Sequence, residues 1–368
     1  MAELELPTGP AGITADWLTR ALRATGTIRD AAVTAFDLEP DIAAGVGFMG
    51  QLARITPTYD RSEDGAPASI IAKLPTPTTE NREIADAFRF YEIETRFYEE
   101  IAAEVEIRTP RCYYSRYERE TRDFVLLLED LAPAQMGDQV AGCTVEQARL
   151  ALRELAKFHA TWWENRRVGD FDWLPPTNET FRAQAAQDNY QQAWVAFVEN
   201  FSDGVPPEIM EIGERFGSKV IQLMDALAQP PRTIMHGDYR LDNMFFATAE
   251  GGATFTVVDW QIISHGRGAF DVAYFLCGSL PPEDRKANEM ELLHMYHDVL
   301  TERGVTGYDF DQFFQDYRAS MLFCWLYTVI VLGALDMATE RGVALFTAIL
   351  QRNSAAIVDL NAGEFLPE

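Results

Sequence analysis

Between positions 236 and 243 the chain reads His-Gly-Asp-Tyr-Arg-Leu-Asp-Asn. Moving a phosphoryl group onto a hydroxyl needs a carboxylate that orients the nucleophile and accepts its proton. It also needs an oxygen ligand nearby for the metal on the phosphates. Asp238 and Asn243, five residues apart on one loop, can aim both groups into one cleft. Sixteen residues further on, the hydrophobic run TFTVVDWQ ends in Asp259, an acid placed to act as a second Mg²⁺ ligand. Asp238 is therefore the candidate catalytic group, and Asn243 and Asp259 are the candidate metal ligands. His236 is expected to brace this loop rather than transfer protons. Asp271, opening the apolar helix GAFDVAYFL, reads as a cap or structural acceptor.

Three features upstream could hold a nucleotide. Gly45, Gly47 and Gly50 form a GxGxxG run that leads into QLARITPTY, rich in β-formers, and not into a helix. That context suits a hairpin tip folded over phosphates rather than a dinucleotide site, whose helix begins at the glycines. An ordinary tight turn is the other reading. Lys73 is one of only four lysines against 27 arginines, and it sits inside the apolar strand IIAKL. A charge there needs a partner or a ligand, unless it faces solvent. Glu94 is flanked at i−4, i−3, i+3 and i+4 by Phe90, Tyr91, Phe97 and Tyr98. An acid amid aromatics should be paired, and Lys73 is the natural candidate. The pair would hold the lysine where ATP phosphates can be reached.

The elements that must position these groups follow from periodicity. Residues 1–130 read as helix, three strands, a long amphipathic helix from about Thr79, and the short strand FVLLL. Beyond Glu129-Asp130-Leu131, helical patterning dominates. It starts at a capping box of Thr144 and Gln147, and a loop and short hairpin interrupt it over 232–260. The expected architecture is α+β and bilobal. A small N-lobe over 1–130 carries an antiparallel sheet plus helix, and a larger, mostly helical C-lobe spans 131–368.

Bulk properties narrow the class. A net charge of −26 argues against nucleic acid, whose phosphates demand a basic footprint. The N-terminal MAELELPTGP has neither a basic region nor an apolar stretch after it, and Met321 to Leu335 is too short to cross a bilayer, so no membrane insertion is expected. Cys112, Cys143, Cys277 and Cys324 have no CxxC spacing, which suits a reduced, cytoplasmic setting. His159 reads as a satisfied core histidine. His294 and His297, three apart on a helix, lack an evident third ligand for zinc.

Taken in order, GVGFMG, IIAKL, the helix with ETRFY, LLLEDL, HGDYRLDN and VVDWQ resemble the aminoglycoside phosphotransferase superfamily. That superfamily includes choline kinases and ecdysteroid-kinase-like proteins, and the likeness runs from about residue 40 to 280. It implies a protein-kinase-like fold and transfer of the ATP γ-phosphate to a small-molecule hydroxyl with Mg²⁺. Its motif HGDxxxxN falls on His236, Gly237, Asp238 and Asn243, and its metal-binding aspartate on Asp259. It also implies that backbone near Glu129 and Leu131 meets adenine. Gly237 stands where protein kinases carry arginine, Trp260-Gln261 replace Phe-Gly, and no Ala-Pro-Glu segment follows, all of which disfavour a protein substrate. Acceptor contacts are expected from Asn178 to Asp203 and from the helix around Met321, where Tyr190, Trp194, Phe197, Phe323, Trp325 and Tyr327 could be pocket wall or core. A catalytically inactive nucleotide-binding scaffold of the same fold is the alternative function.

Overall fold

The computed structural model describes residues 4–42, 49–334 and 340–368. Its elements begin with α1 (Ala15–Ala24), β1 (Val33–Pro40), β2 (Gly50–Tyr59), β3 (Ile70–Pro75), α2 (Thr79–Ala87), α3 (Phe90–Arg96), β4 (Cys112–Glu118) and β5 (Asp123–Glu129). Then come β6 (Gln135–Met136), α4 (Val145–Trp162), α5 (Thr180–Phe201), α6 (Pro207–Phe216), α7 (Val220–Leu227), β7 (Thr233–Met235), β8 (Met244–Thr248) and β9 (Gly251–Val257). The chain finishes with β10 (Ser264–Gly266), α8 (Ala269–Ser279), α9 (Pro282–Glu302), α10 (Phe310–Ala334) and α11 (Glu340–Asp359). The described residues divide into two compact units. One lies within Met1–Glu104, Arg108–Gln135 and Ala247–Ile262, the other within Val105–Ile107, Met136–Phe246 and Ile263–Glu368.

The first unit is built on an antiparallel sheet in the order β1-β2-β3-β5-β4. Side chains alternate across a strand, so β3 sends Ile70, Ala72 and Leu74 to one face and Lys73 to the other. The first face packs under α1, whose Trp17, Leu18 and Leu22 join Ile55, Ala72, Leu74, Val125 and Leu127 in a buried cluster. α3 lies on the Lys73 side, where Tyr91 stacks on Phe124 at 4.2 Å between ring centres. Two expectations need correction. The sheet has an additional strand, β4, paired with β5 in the register Ser115↔Leu126 and Tyr117↔Phe124. Its tyrosines and charges suit an edge strand and carry no aliphatic run. The helix expected from Thr79 is two helices, broken at Arg89, which takes a left-handed φ of 58° while Phe88 and Phe90 stack across the break.

The second unit is mostly helical, with the β7–β10 pair and the first residues of β8 as its extended backbone. The capping box at Thr144 and Gln147 opens α4 as expected. α10 runs through the core with Met321 to Leu326 fully buried, while Leu335 lies outside the described residues. Of the aromatics expected as pocket wall or core, four are core here, while Trp194 and Tyr327 are half-buried. Tyr190, Phe197 and Trp325 are buried, and the Trp325 indole donates to the Tyr190 hydroxyl at 3.1 Å. Among the described residues no helix is long and apolar enough to cross a membrane, and all four cysteines are free.

Candidate active site

In the first unit, three distant stretches of chain meet at one ammonium. Lys73 Nζ lies 2.9 Å from Glu94 Oε1, 2.7 Å from Glu94 Oε2 and 2.8 Å from Asp259 Oδ1. β3 supplies the lysine, α3 the glutamate, and the residues after β9 the aspartate. Lys73 is 9% exposed and Glu94 1% exposed. Burial pushes the Glu94 carboxyl up to about 7, against the pull of Lys73, with the negative charge of Asp259 adding to the rise. The same burial works against the lysine's charge, yet Asp259 and Glu94 hold its ammonium above the ordinary lysine value. Net burial of charge is expensive unless each group is paired. Here one cation answers two carboxylates.

Local packing explains how Asp259 reaches this position. It sits at a left-handed φ of 66°, a costly conformation for a residue with a side chain. The next residue, Trp260, is fully buried and stacks on Phe97 with ring centres 4.1 Å apart and planes 7° from parallel. Phe97 is three residues past Glu94, so the indole fixes the acid's strand end to the helix carrying the glutamate. Gly50, at the start of β2, gives the lysine room: a Cβ there would stand 3.3 Å from Lys73 Cε. Gly45 and Gly47 lie outside the described residues. Glu129 turns its carboxylate to Arg108 and to the Arg111 amide, at 2.7 and 3.0 Å, while Leu131 is buried at the end of β5.

In the second unit, the loop from 236 to 243 is clamped from beneath. Asp271, in the first turn of α8, accepts from the amides of His236 and Gly237 at 2.7 and 3.0 Å and meets His159 Nε2 at 3.2 Å. The other His159 nitrogen pairs with the Tyr296 hydroxyl at 2.6 Å, so this histidine is a satisfied core group. Gly237 has a φ of 83°, which favours glycine. His236 braces the turn by accepting from the Asp238 amide at 3.2 Å on Nδ1. A short helical turn then brings Asn243 back, and its Nδ2 donates to Asp238 Oδ2 at 2.8 Å and to the Asp238 carbonyl at 2.9 Å. Arg240 Nε donates to the same Oδ2 at 3.1 Å, and the Tyr274 hydroxyl to Oδ1 at 3.1 Å. Burial opposes charge on Asp238, but Arg240, His236 and the Asn243 hydrogen bond hold its carboxyl below the ordinary aspartate range.

The structure thus brings Lys73, Glu94 and Asp259 together in one unit, and Asp238 and Asn243 together in the other. Sequence reasoning missed Tyr274, which lies on a helix that reads as plain core. It also missed Gln139, whose side-chain oxygen accepts from the Leu241 amide at 2.9 Å and whose backbone N–H donates to Asp242 at 3.1 Å. Neither carries a local signal beyond its residue type. His294 stacks on Phe310 and His297 Nε2 bonds the Tyr308 carbonyl at 2.8 Å. Asp259 carries a carboxylate and Asn243 an amide oxygen, each a hard donor of the kind that Mg²⁺ takes. Asn243 points its nitrogen at Asp238, which turns its oxygen away from that carboxylate.

Residues 44–305 match the model of the ecdysteroid kinase-like family. An uncharacterized kinase-like protein of Caenorhabditis elegans is 25% identical over 229 residues, spanning 58% of this chain and 57% of that protein. A Ralstonia eutropha protein assigned as an aminoglycoside phosphotransferase superposes with a TM-score of 0.56 at 15% identity, covering 95% of this chain and 98% of its own. Choline kinase from Cryptosporidium parvum gives 0.53 at 10% identity, with 89% and 91% covered. Ethanolamine kinase from Plasmodium vivax gives 0.52 at 11% identity, with 88% and 83% covered. The fold is accordingly the α+β, two-lobed, protein-kinase-like one of small-molecule kinases. With more than half its length matched, the chain belongs to the ecdysteroid kinase-like family.

Proposed function

We propose that the protein is an ATP-dependent phosphotransferase acting on the hydroxyl of a small molecule. The observation that carries this reading is the ammonium of Lys73 held between Glu94 and Asp259. Stability alone gives little reason to bury one cation with two acids, because apolar packing would serve as well. A nucleotide site gives a reason: a fixed cation for phosphate oxygens and an acid for their metal. Lys73 binds the ATP phosphates, Glu94 holds the lysine in place, and the backbone of Gly45, Gly47 and Gly50 covers the phosphates. Glu129 and Leu131 offer backbone to the adenine. Asn243 and Asp259 hold Mg²⁺, which when bound would neutralise charge on the phosphates.

Asp238 orients the acceptor hydroxyl for in-line attack. The bond from acceptor oxygen to γ-phosphorus forms, the bond from γ-phosphorus to the bridging oxygen of ADP breaks, and the hydroxyl proton passes to Asp238. Most of the rate comes from positioning and fixed charge, with no covalent intermediate on the protein. The clamp on Asp238 suits this role, since it keeps the carboxylate ionised and aimed.

The test is ADP release from Mg·ATP over a panel of hydroxyl compounds, with two variants in parallel. Asp238→Ala should cost about 10²–10⁴ in turnover and leave ATP affinity nearly intact. Asp259→Ala should abolish Mg-dependent nucleotide binding. Wild-type turnover in both variants would end the reading.

A further inference from the structure

A carboxylate offers about four acceptor positions, two on each oxygen. On Asp238 three are taken by described residues. Arg240 Nε and Asn243 Nδ2 fill Oδ2, at 3.1 and 2.8 Å, and the Tyr274 hydroxyl takes one side of Oδ1 at 3.1 Å. The position left open is on Oδ1, beside the tyrosine oxygen. An acceptor hydroxyl that bonds Asp238 must therefore enter next to Tyr274.

The geometry points to Tyr274 as a positioning residue for the transfer, acting through Oδ1 of Asp238. This rests on the reading of Asp238 given above. Two donors hold only one oxygen of the carboxylate, and a group held at one oxygen can still pivot about it. The phenol closes that freedom from the other side. The ring itself is fixed by packing: its centre lies 5.5 Å from Phe270 and 6.0 Å from Tyr327, and those two rings are each packed on Phe323 at 4.7 and 5.3 Å. Phe270 and Phe323 are each only 2% exposed, so the wall behind the phenol belongs to the core and does not yield. The hydroxyl of Tyr274 has one protein partner among the described residues, the Asp238 carboxylate.

The experiment is steady-state ADP release from Mg·ATP with water as the acceptor, comparing wild type with Tyr274→Phe and Asp238→Asn. Tyr274→Phe removes one oxygen and leaves the ring packing. A lost hydrogen bond to a charged acceptor should lower kcat by about 10- to 100-fold. KM for ATP should stay within error of wild type while kcat falls, a split that a structural role alone would not produce. A wild-type kcat in Tyr274→Phe, with Asp238→Asn impaired, would overturn the role of the tyrosine and leave that of Asp238 standing. Wild-type turnover in Asp238→Asn would overturn both. A fall in kcat that comes with a lowered thermal midpoint and a raised KM for ATP would make Tyr274 a packing residue and also overturn the proposal.

Discussion

Replacing Glu94 with glutamine tests whether its ion pair serves stability or function. The Glu94 carboxyl stands at about 7 against an ordinary 4.5, because burial outweighs the pull of Lys73. A carboxyl raised in the folded state binds its proton more tightly there than in the unfolded chain. Its contribution to stability is therefore complete below about pH 4.5 and is lost as pH rises through about 7. At 1.36 kcal/mol per unit, the full loss is about 3 kcal/mol, of which about 2 kcal/mol falls between pH 5.5 and 8. Glutamine carries no proton to lose, so Glu94→Gln should show none of this slope. The assay is urea unfolding of the nucleotide-free protein by tryptophan fluorescence at half-unit steps of pH. Subtracting the variant from the wild type cancels the pH dependence that the two chains share. The variant should gain on the wild type by about 2 kcal/mol from pH 5.5 to 8, while its affinity for Mg·ATP drops at pH 8 because the lysine is left to Asp259 alone. A difference independent of pH, or a variant that loses ground as pH rises, would refute the reasoning by showing that Lys73 stabilises the ionised acid fully.

Two further outcomes follow from packing. Asp271→Asn keeps the shape of the side chain but gives up a charged acceptor for the His236 and Gly237 amides; thermal unfolding should show a loss of about 2–5 kcal/mol, and ADP release should fall with it. Trp260→Ala removes the fully buried indole from Phe97 and should cost about 3–5 kcal/mol in urea unfolding, with weaker nucleotide binding as Asp259 loosens.

Much of the arrangement of these residues was legible because it is local. His236 to Asn243 is a loop whose roles depend on spacing within eight residues, and Glu94 betrays its pairing through the four aromatics on its own helix face. The Lys73–Glu94 pair could be expected since strand and helix are near in sequence. The contact of Lys73 with Asp259 spans 186 residues, and no periodicity reports it. Tyr274 is hidden for a related reason: a tyrosine on an apolar helix reads as core, and only the fold reveals that its hydroxyl ends on a carboxylate. β4 was missed because edge strands need little aliphatic content, and the break at Arg89 because a left-handed residue there carries no glycine to announce it.

The return of residues 247–262 to the first unit has a consequence for biosynthesis. The chain leaves that unit at Gln135, contributes more than a hundred residues elsewhere, and comes back only at Ala247. A nascent chain therefore presents Lys73 and Glu94 long before Asp259 and the ring of Trp260 have left the ribosome. Until translation passes Ile262, the aromatic face of Phe97 stays uncovered. The stretch in which the five-stranded sheet stands complete but without the Asp259 segment is set by the length of the intervening helical segment.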